Sequence, residues 1–277
     1  MTLLVRNNFF KGGIILATLS LGIITVGGYF AFPAFPDAIG QAALRSSGIS
    51  QRFIEAFAEP SPHVPFWTMV IAAAYSLISI ILIYYFFEKT QSPEILFIAL
   101  FVISLIFEFA RMVIPLKEVI SFNPMFITTS SRVLLFGRYF GLFSLFAAGV
   151  YAAGLDAQKQ ETFLLMLILA ALIIAMNVPV DSLVWDSTFV LWSGYKPMFT
   201  VIELSVLTVT IISFLISAYT RSSKSYVLIG IGILMAYTGR IILLSSDTWI
   251  TPFPGLLILV AGTWFACSRL HLQYLWL

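Results

Sequence analysis

The sequence predicts an all-α integral membrane protein, a bundle of eight transmembrane helices, and three observations carry that expectation. Of its 277 residues, 60% are hydrophobic and only 10% charged, against roughly 45–50% and about 25% in an average soluble domain. The mean hydropathy is +0.99. The apolar residues gather in eight runs of about the 20 residues that cross a bilayer as a helix. The runs are too long, and alternate too little, to be strands of a membrane barrel.

In chain order the spans fall at 12–34, 65–87, 93–115, 129–153, 161–180, 197–219, 226–246 and 253–270. The first follows Arg6 and Lys11 and resembles a signal sequence, but its exit reads GGYFAFPAFP, with no small-x-small cleavage site. Residues 1–35 are therefore read as an uncleaved N-terminal anchor, and 36–64 as an extracytoplasmic interfacial segment. In that segment SQRFIEAFAEPSP places Ser50 to cap a short helix burying Phe53, Ile54 and Phe57. Residues 65–277 hold the seven-helix domain. Pro65, Pro93, Pro115, Pro197 and Pro252 stand at span boundaries, where a missing N–H and a fixed φ are tolerated. Between the fifth and sixth spans runs DSLVWDSTFVLWSGYKP, residues 181–197. Its Trp185, Trp192 and Tyr195 suit the membrane interface. They read either as an aromatic belt or as a lid over an outer pocket.

Basic residues orient the chain. With the N-terminus inside, the inner ends hold Arg6, Lys11, Lys89, Lys159, Arg221, Lys224 and Arg269, and the outer segments hold Arg45, Arg52, Lys117 and Lys196. Seven against four places both termini in the cytoplasm. An internal repeat is also suggested. PFWTMVI at 65–71 and PMFTVIE at 197–203 open two sets of three helices, and the middle helix of each set carries an arginine near its outer end, Arg111 and Arg240. That plan, three helices plus one plus three, is used by some small transporters.

Six charged residues fall inside the spans: Glu108, Arg111, Arg132, Arg138, Glu203 and Arg240. Each costs about 2.5–3.5 kcal/mol at a helix centre unless it is paired or wetted. At about 1.5 Å per residue they share one depth, the outer half of the bilayer. Asn177 and Asp181 close the outer end of the fifth span, and Tyr237 shares a face with Arg240. Glu108 and Arg111 are i,i+3 neighbours able to pair. Arg132 is near enough to the boundary to snorkel. Two readings follow. The charges neutralise one another as interhelical glue, Glu108 with Arg111 and Glu203 with Arg240 or Arg138. Alternatively, four arginines against two glutamates leave an outward-facing recess for a small anion or amphiphile, since guanidinium forks bind carboxylate and phosphate. The candidate ligand-binding set is then Glu108, Arg111, Arg138, Asn177, Asp181, Glu203, Tyr237 and Arg240.

Other classes find little support. A net charge of +2, well dispersed, argues against nucleic acid. A single cysteine, Cys267, and two distant histidines, His63 and His271, build neither an intrachain disulfide nor a multi-ligand metal or haem site. No cofactor is expected. GxSxG, HExxH and Walker-type motifs are absent.

The layout of residues 65–270, with short inner loops and seven helices starting outside, resembles bacterial seven-transmembrane receptor-like signalling modules. That resemblance implies a sensor whose outer pocket is read by an inner partner. Such modules normally continue into a cytoplasmic output domain, whereas this sequence stops at SRLHLQYLWL, so the signal is expected to pass to a separate protein. The alternative is a small-solute or anion transporter using the same recess, supported by the repeat and by Thr200, Glu203, Thr210, Ser213 and Ser217 along one stripe of the sixth span. An intramembrane enzyme or assembly subunit is the remaining class.

Overall fold

A computed structural model of the chain describes residues 3–32, 61, 63–88, 90 and 92–275. Ser50, Phe53, Ile54 and Phe57 of the expected interfacial helix lie outside the described residues, as does Lys89. The described chain has eight helices long and apolar enough to cross a membrane. They are α1 (Leu3–Ala31), α2 (His63–Phe87), α3 (Pro93–Lys117), α4 (Pro124–Ala152), α5 (Gln160–Asn177), α6 (Lys196–Thr220), α7 (Lys224–Leu244) and α8 (Pro252–Leu275). Large apolar side chains such as Leu16, Ile23, Leu204, Ile216 and Val260 face outward from the bundle.

Local chemistry sets the helix starts. Ser92 accepts from the Ile95 amide (3.4 Å) ahead of Pro93, and Asn123 accepts from the Met125 amide (3.0 Å) ahead of Pro124. Each pairs a side-chain cap with a proline at a position where no N–H is needed. α1 starts at Leu3 rather than at 12, because Arg6 is not a loop residue. Its buried guanidinium donates to the Phe87 and Glu88 carbonyls, at 2.8 Å each, and to the Thr90 carbonyl. The arginine thereby satisfies the open C-terminal end of α2.

α3 is the axis of the bundle: every residue from Glu94 to Ile106 is buried. It is not uniformly α-helical. Pro93–Ser104 is α, Leu105–Met112 is a 3₁₀ helix, and Val113–Lys117 is α again. Three hydroxyls from three neighbours reach carbonyls in and beside the 3₁₀ stretch. Ser76 of α2 donates to Val102 O (2.8 Å), Ser20 of α1 to Ile106 O (3.1 Å) and Ser130 of α4 to Ala110 O (2.7 Å). A side chain inserted into the i→i−4 ladder is a recognised cause of helix deformation, and here the accepting carbonyls recur every fourth residue. Pro115 was expected to end this helix, yet the chain continues to Lys117. The proline is the third residue of the renewed α segment, Val113–Lys117.

α7 and α8 form the tightest pair. A methyl group on Gly239 would lie 2.7 Å from Leu259 Cα and 2.9 Å from Gly255 O, and one on Gly232 would lie 2.9 Å from both Ala266 N and Gly262 O. Gly232 and Gly239 on one helix meet Gly255 and Gly262 on the other. Spacing of two turns keeps each pair on one face, so the backbones touch along the seam.

The all-α expectation is corrected at one place. Residues 181–197 do not form an irregular loop: Val180–Trp185 (β1) and Leu191–Ser193 (β2) pair antiparallel, with Val180 opposite Ser193 and Trp185 opposite Leu191. β-branched and aromatic residues at these positions favour the extended chain. Gly194 N–H to Pro179 O (2.9 Å) closes the base.

Candidate functional site

The site is built on the 3₁₀ stretch of α3. In an α-helix, residues three apart are offset by about 60° around the axis. With three residues per turn, the 3₁₀ form brings Leu105, Glu108 and Arg111 into line. Glu108 is 2% exposed and sits between two arginines. Arg111 Nη1 lies 3.3 Å from Glu108 Oε2. Arg138 of α4 forks onto the same carboxylate, Nε to Oε1 at 3.0 Å and Nη2 to Oε2 at 3.1 Å. Charge-assisted bidentate pairs of this kind are the strongest side-chain hydrogen bonds.

The hairpin closes over the other side of Arg111, whose Nε donates to Thr188 O at 2.8 Å and whose Nη2 donates to the same oxygen. Asp186 shapes this turn: its Oδ1 accepts from the Thr188 amide (3.0 Å), the Thr188 hydroxyl (2.7 Å) and the Val190 amide (3.0 Å). Phe189 follows with φ +60° and is buried beside Leu191, Ile114 and Met112. The plug is therefore the turn at 186–190. Trp192 and Tyr195, proposed from the sequence as belt or lid, are exposed, and Lys196 lies over the Trp192 ring at 4.0 Å. Trp185 is half-buried, with Lys117 over its ring at 4.7 Å.

Arg240 of α7 completes the cluster differently. It is 3% exposed, its guanidinium lies 5.6 Å from the centroid of the Phe101 ring, and Nη1 makes no hydrogen bond. Its position depends on Gly141 of α4, since any Cβ there would strike both Arg240 Nη1 and Ser104 Oγ. Glu108, Arg138, Glu203 and Tyr237 all stand within electrostatic range of it. Glu203 of α6 is half-buried and accepts only a long bond from the Tyr237 hydroxyl, at 3.4 Å. The expected pairing of Glu203 with Arg240 or Arg138 is not formed; among the described residues the ion pairs of this region all belong to Glu108.

Glu108, Arg111, Arg138, Glu203, Tyr237 and Arg240 are thus brought together, and two other candidates are not. Asn177 is exposed and donates to the Ile173 carbonyl of its own helix (2.7 Å). Asp181 is exposed on β1, because α5 ends at Asn177 and the extended Val178 turns the chain away. Arg132 is half-buried and joins no ion pair among the described residues. Sequence reasoning passed over Asp186 and Thr188. Their signal was local, an aspartate two residues before a threonine in a turn-rich stretch, the Asx-turn pattern.

The hydroxyl stripe of α6 is internally satisfied. Thr210 and Ser213 donate to Val206 O and Val209 O, each at 2.8 Å, and Ser217 donates to Ala152 O of α4 at 2.6 Å. No family model matches the chain, and no curated protein matches it. Geometry alone therefore carries the functional interpretation.

Proposed function

We propose that this is a multi-pass membrane protein acting as a receptor-like sensor for a small anion or an anionic amphiphile. Eight helices of spanning length and an apolar outer surface support the membrane setting. The basic bias of the loops favours both termini in the cytoplasm and the hairpin outside, and the layout resemblance to bacterial signalling modules suggests the inner membrane. One observation carries the ligand reading: Arg240 is buried without a hydrogen-bond acceptor among the described residues. A buried cation left unpaired is costly, so an exogenous anion that reaches it gains what the fold leaves unused. The same anion would compete with Glu108 for Arg138, the most exposed of the three cluster arginines. Its arrival would then bear on the 3₁₀ stretch, a tighter winding often found at hinges, and through α3 on a separate partner at the opposite end.

Transport through the same recess is the less supported reading. A solute path needs polar lining in the other half of the bundle, but α3 there is apolar from Ile95 to Ile103 and the α6 hydroxyls are committed to backbone carbonyls. The test is thermal stabilisation of the purified protein by a panel of acetate, benzoate, octanoate, phosphate and sulfate. Arg240→Gln is expected to abolish the response, and Lys224→Gln, an exposed change at the far end, to leave it intact. Equal responses in all three proteins would remove the pocket. Uptake of the bound anion into protein-containing liposomes would replace the sensor with a transporter.

A further inference from the structure

We propose that the groove between α2 and α8 holds a membrane phospholipid, with one acyl chain in its cavity and the phosphate at His271. This rests on the membrane setting of the helices and not on the anion-sensor reading. The two helices are joined at two levels. The buried Tyr75 hydroxyl of α2 donates to Thr263 Oγ1 of α8 at 2.9 Å, and the His271 ring of α8 stands edge-on to the Phe87 ring of α2, with centroids 5.3 Å apart. Around and between these levels they part, leaving a cavity of about 360 Å³, within the range of small-molecule pockets, roughly 300–1,000 Å³. Ile83 and Phe87 form its buried floor. Leu82, Phe86, Val260 and Trp264 stand at its rim, exposed on the outer surface of the bundle.

Dimensions and chemistry select the occupant. On α8 the lining runs from Val260 to Leu272, about 18 Å at about 1.5 Å per residue. That is close to one leaflet's half of a hydrocarbon core about 30 Å thick. A partner's spanning helix would need contact along the whole core, through small residues that let backbones approach; this rim is built instead of a tryptophan, a phenylalanine and branched aliphatics. The wall hydroxyls of Thr263 and Ser268 already donate to Leu259 O and Phe265 O, each at 3.0 Å, so an alkyl chain displaces no hydrogen bond of theirs. The His271 end differs. The imidazole packs against Phe86 and Phe87, and its nitrogens have no hydrogen-bond partner among the described residues. Arg269, in the same turn, lies over the Phe265 ring at 5.3 Å and joins no ion pair among the described residues. Buried Arg6 reaches the same level, donating to the Phe87 carbonyl at 2.8 Å. Glu88, which follows Phe87, accepts from the Tyr84 hydroxyl at 3.3 Å. A phosphodiester at this end therefore meets an unserved imidazole at a level with two guanidiniums and one engaged carboxylate, and basic membrane-proximal groups attract anionic headgroups.

The experiment uses the full chain, stripped of lipid in detergent, and titrates it with dioleoylphosphatidylglycerol. Dioleoylglycerol, with the same chains and no phosphate, is the comparison. Native mass spectrometry is expected to show one tightly held phospholipid per wild-type chain. Ser79→Phe and Ser268→Phe fill the groove from opposite walls, and each is expected to weaken phospholipid binding roughly tenfold or more; either one that folds suffices. Leu204→Phe, on the outer face of α6, is expected to leave binding unchanged. His271→Ala is expected to weaken phosphatidylglycerol roughly threefold or more and to leave dioleoylglycerol as it was. Phospholipid binding unmoved by the filling variants, or reduced equally by Leu204→Phe, overturns the groove assignment. Both lipids weakened alike by His271→Ala, or neither, overturns the placement of the phosphate. A dimer that becomes monomeric in Ser268→Phe while lipid binding persists would put a second copy in the groove and overturn the lipid.

Discussion

Glu108 on α3 and Arg138 on α4 form a two-point ion pair, Oε1 to Nε at 3.0 Å and Oε2 to Nη2 at 3.1 Å, and the same carboxylate also neutralises Arg111. One buried anion thus joins two helices and holds the cation on which the hairpin rests. Removing it strands two guanidiniums at once.

Glu108→Gln is therefore expected to be the most damaging single change in the cluster, at about 3–5 kcal/mol, the range for a buried charge deprived of its partner. Arg138→Gln should cost less, because the Arg138 side chain is 28% exposed and water can replace part of what is lost. Denaturant unfolding in detergent measures both. If the two variants unfold alike, the carboxylate is not the hub described here.

The 3₁₀ stretch yields a second expectation. Ser20, Ser76 and Ser130 each donate to an α3 carbonyl, so Ser→Ala at any one should cost about 1 kcal/mol. Hydrogen exchange at residues 105–112 gives the sharper readout. Losing the donors should raise protection there, as the segment relaxes toward α-helix with its stronger i→i−4 bonds. Unchanged exchange in the triple variant would show that the winding does not depend on the serines.

The eight runs of apolar residues were legible because bilayer thickness sets a length that composition reveals without any tertiary knowledge. The shared depth of the charges was legible for the same reason, since rise per residue is fixed. Which charge meets which was not. Depth says nothing of azimuth, so pairing of Glu203 with an arginine stood as one of two readings, whereas its carboxylate meets the Tyr237 hydroxyl. The 3₁₀ winding was hidden because the hydroxyls that bond the α3 carbonyls in and beside it come from serines on three other helices. The hairpin was hidden because its strands are short and its key acceptor is a backbone carbonyl, Thr188 O, that has no side-chain signature.

Asp186 gives a third expectation. Its Oδ1 accepts three bonds that fold the turn onto Arg111. Asp186→Ala removes all three and should speed hydrogen exchange and proteolysis across 186–190, whereas Asp186→Asn keeps an acceptor oxygen and should be milder. Identical digestion of both variants and wild type would mean that the hydrophobic anchoring of Phe189 alone holds the plug.

The seam between α7 and α8 gives the last. Gly239 and Gly262 face backbone so closely that no side chain fits, a methyl group on Gly262 lying 2.9 Å from Ala236 Cα, whereas one on Gly12 or Gly22 of α1 would meet nothing within 4 Å. Gly239→Leu and Gly262→Leu must push the helices apart and should destabilise the fold by about 3 kcal/mol or more, the upper end for overpacking. Gly12→Leu and Gly22→Leu insert the same side chain at open positions and should leave the melting temperature unchanged. The contrast separates overpacking from any general effect of replacing glycine in a helix, which would lower or raise all four alike. Because Arg240 follows Gly239 directly, the milder Gly239→Ala should also shift the guanidinium out of the notch at Gly141. A weakened anion response in a protein that still folds is the expected result, and an unaltered response would show that the position of α7 does not set the site.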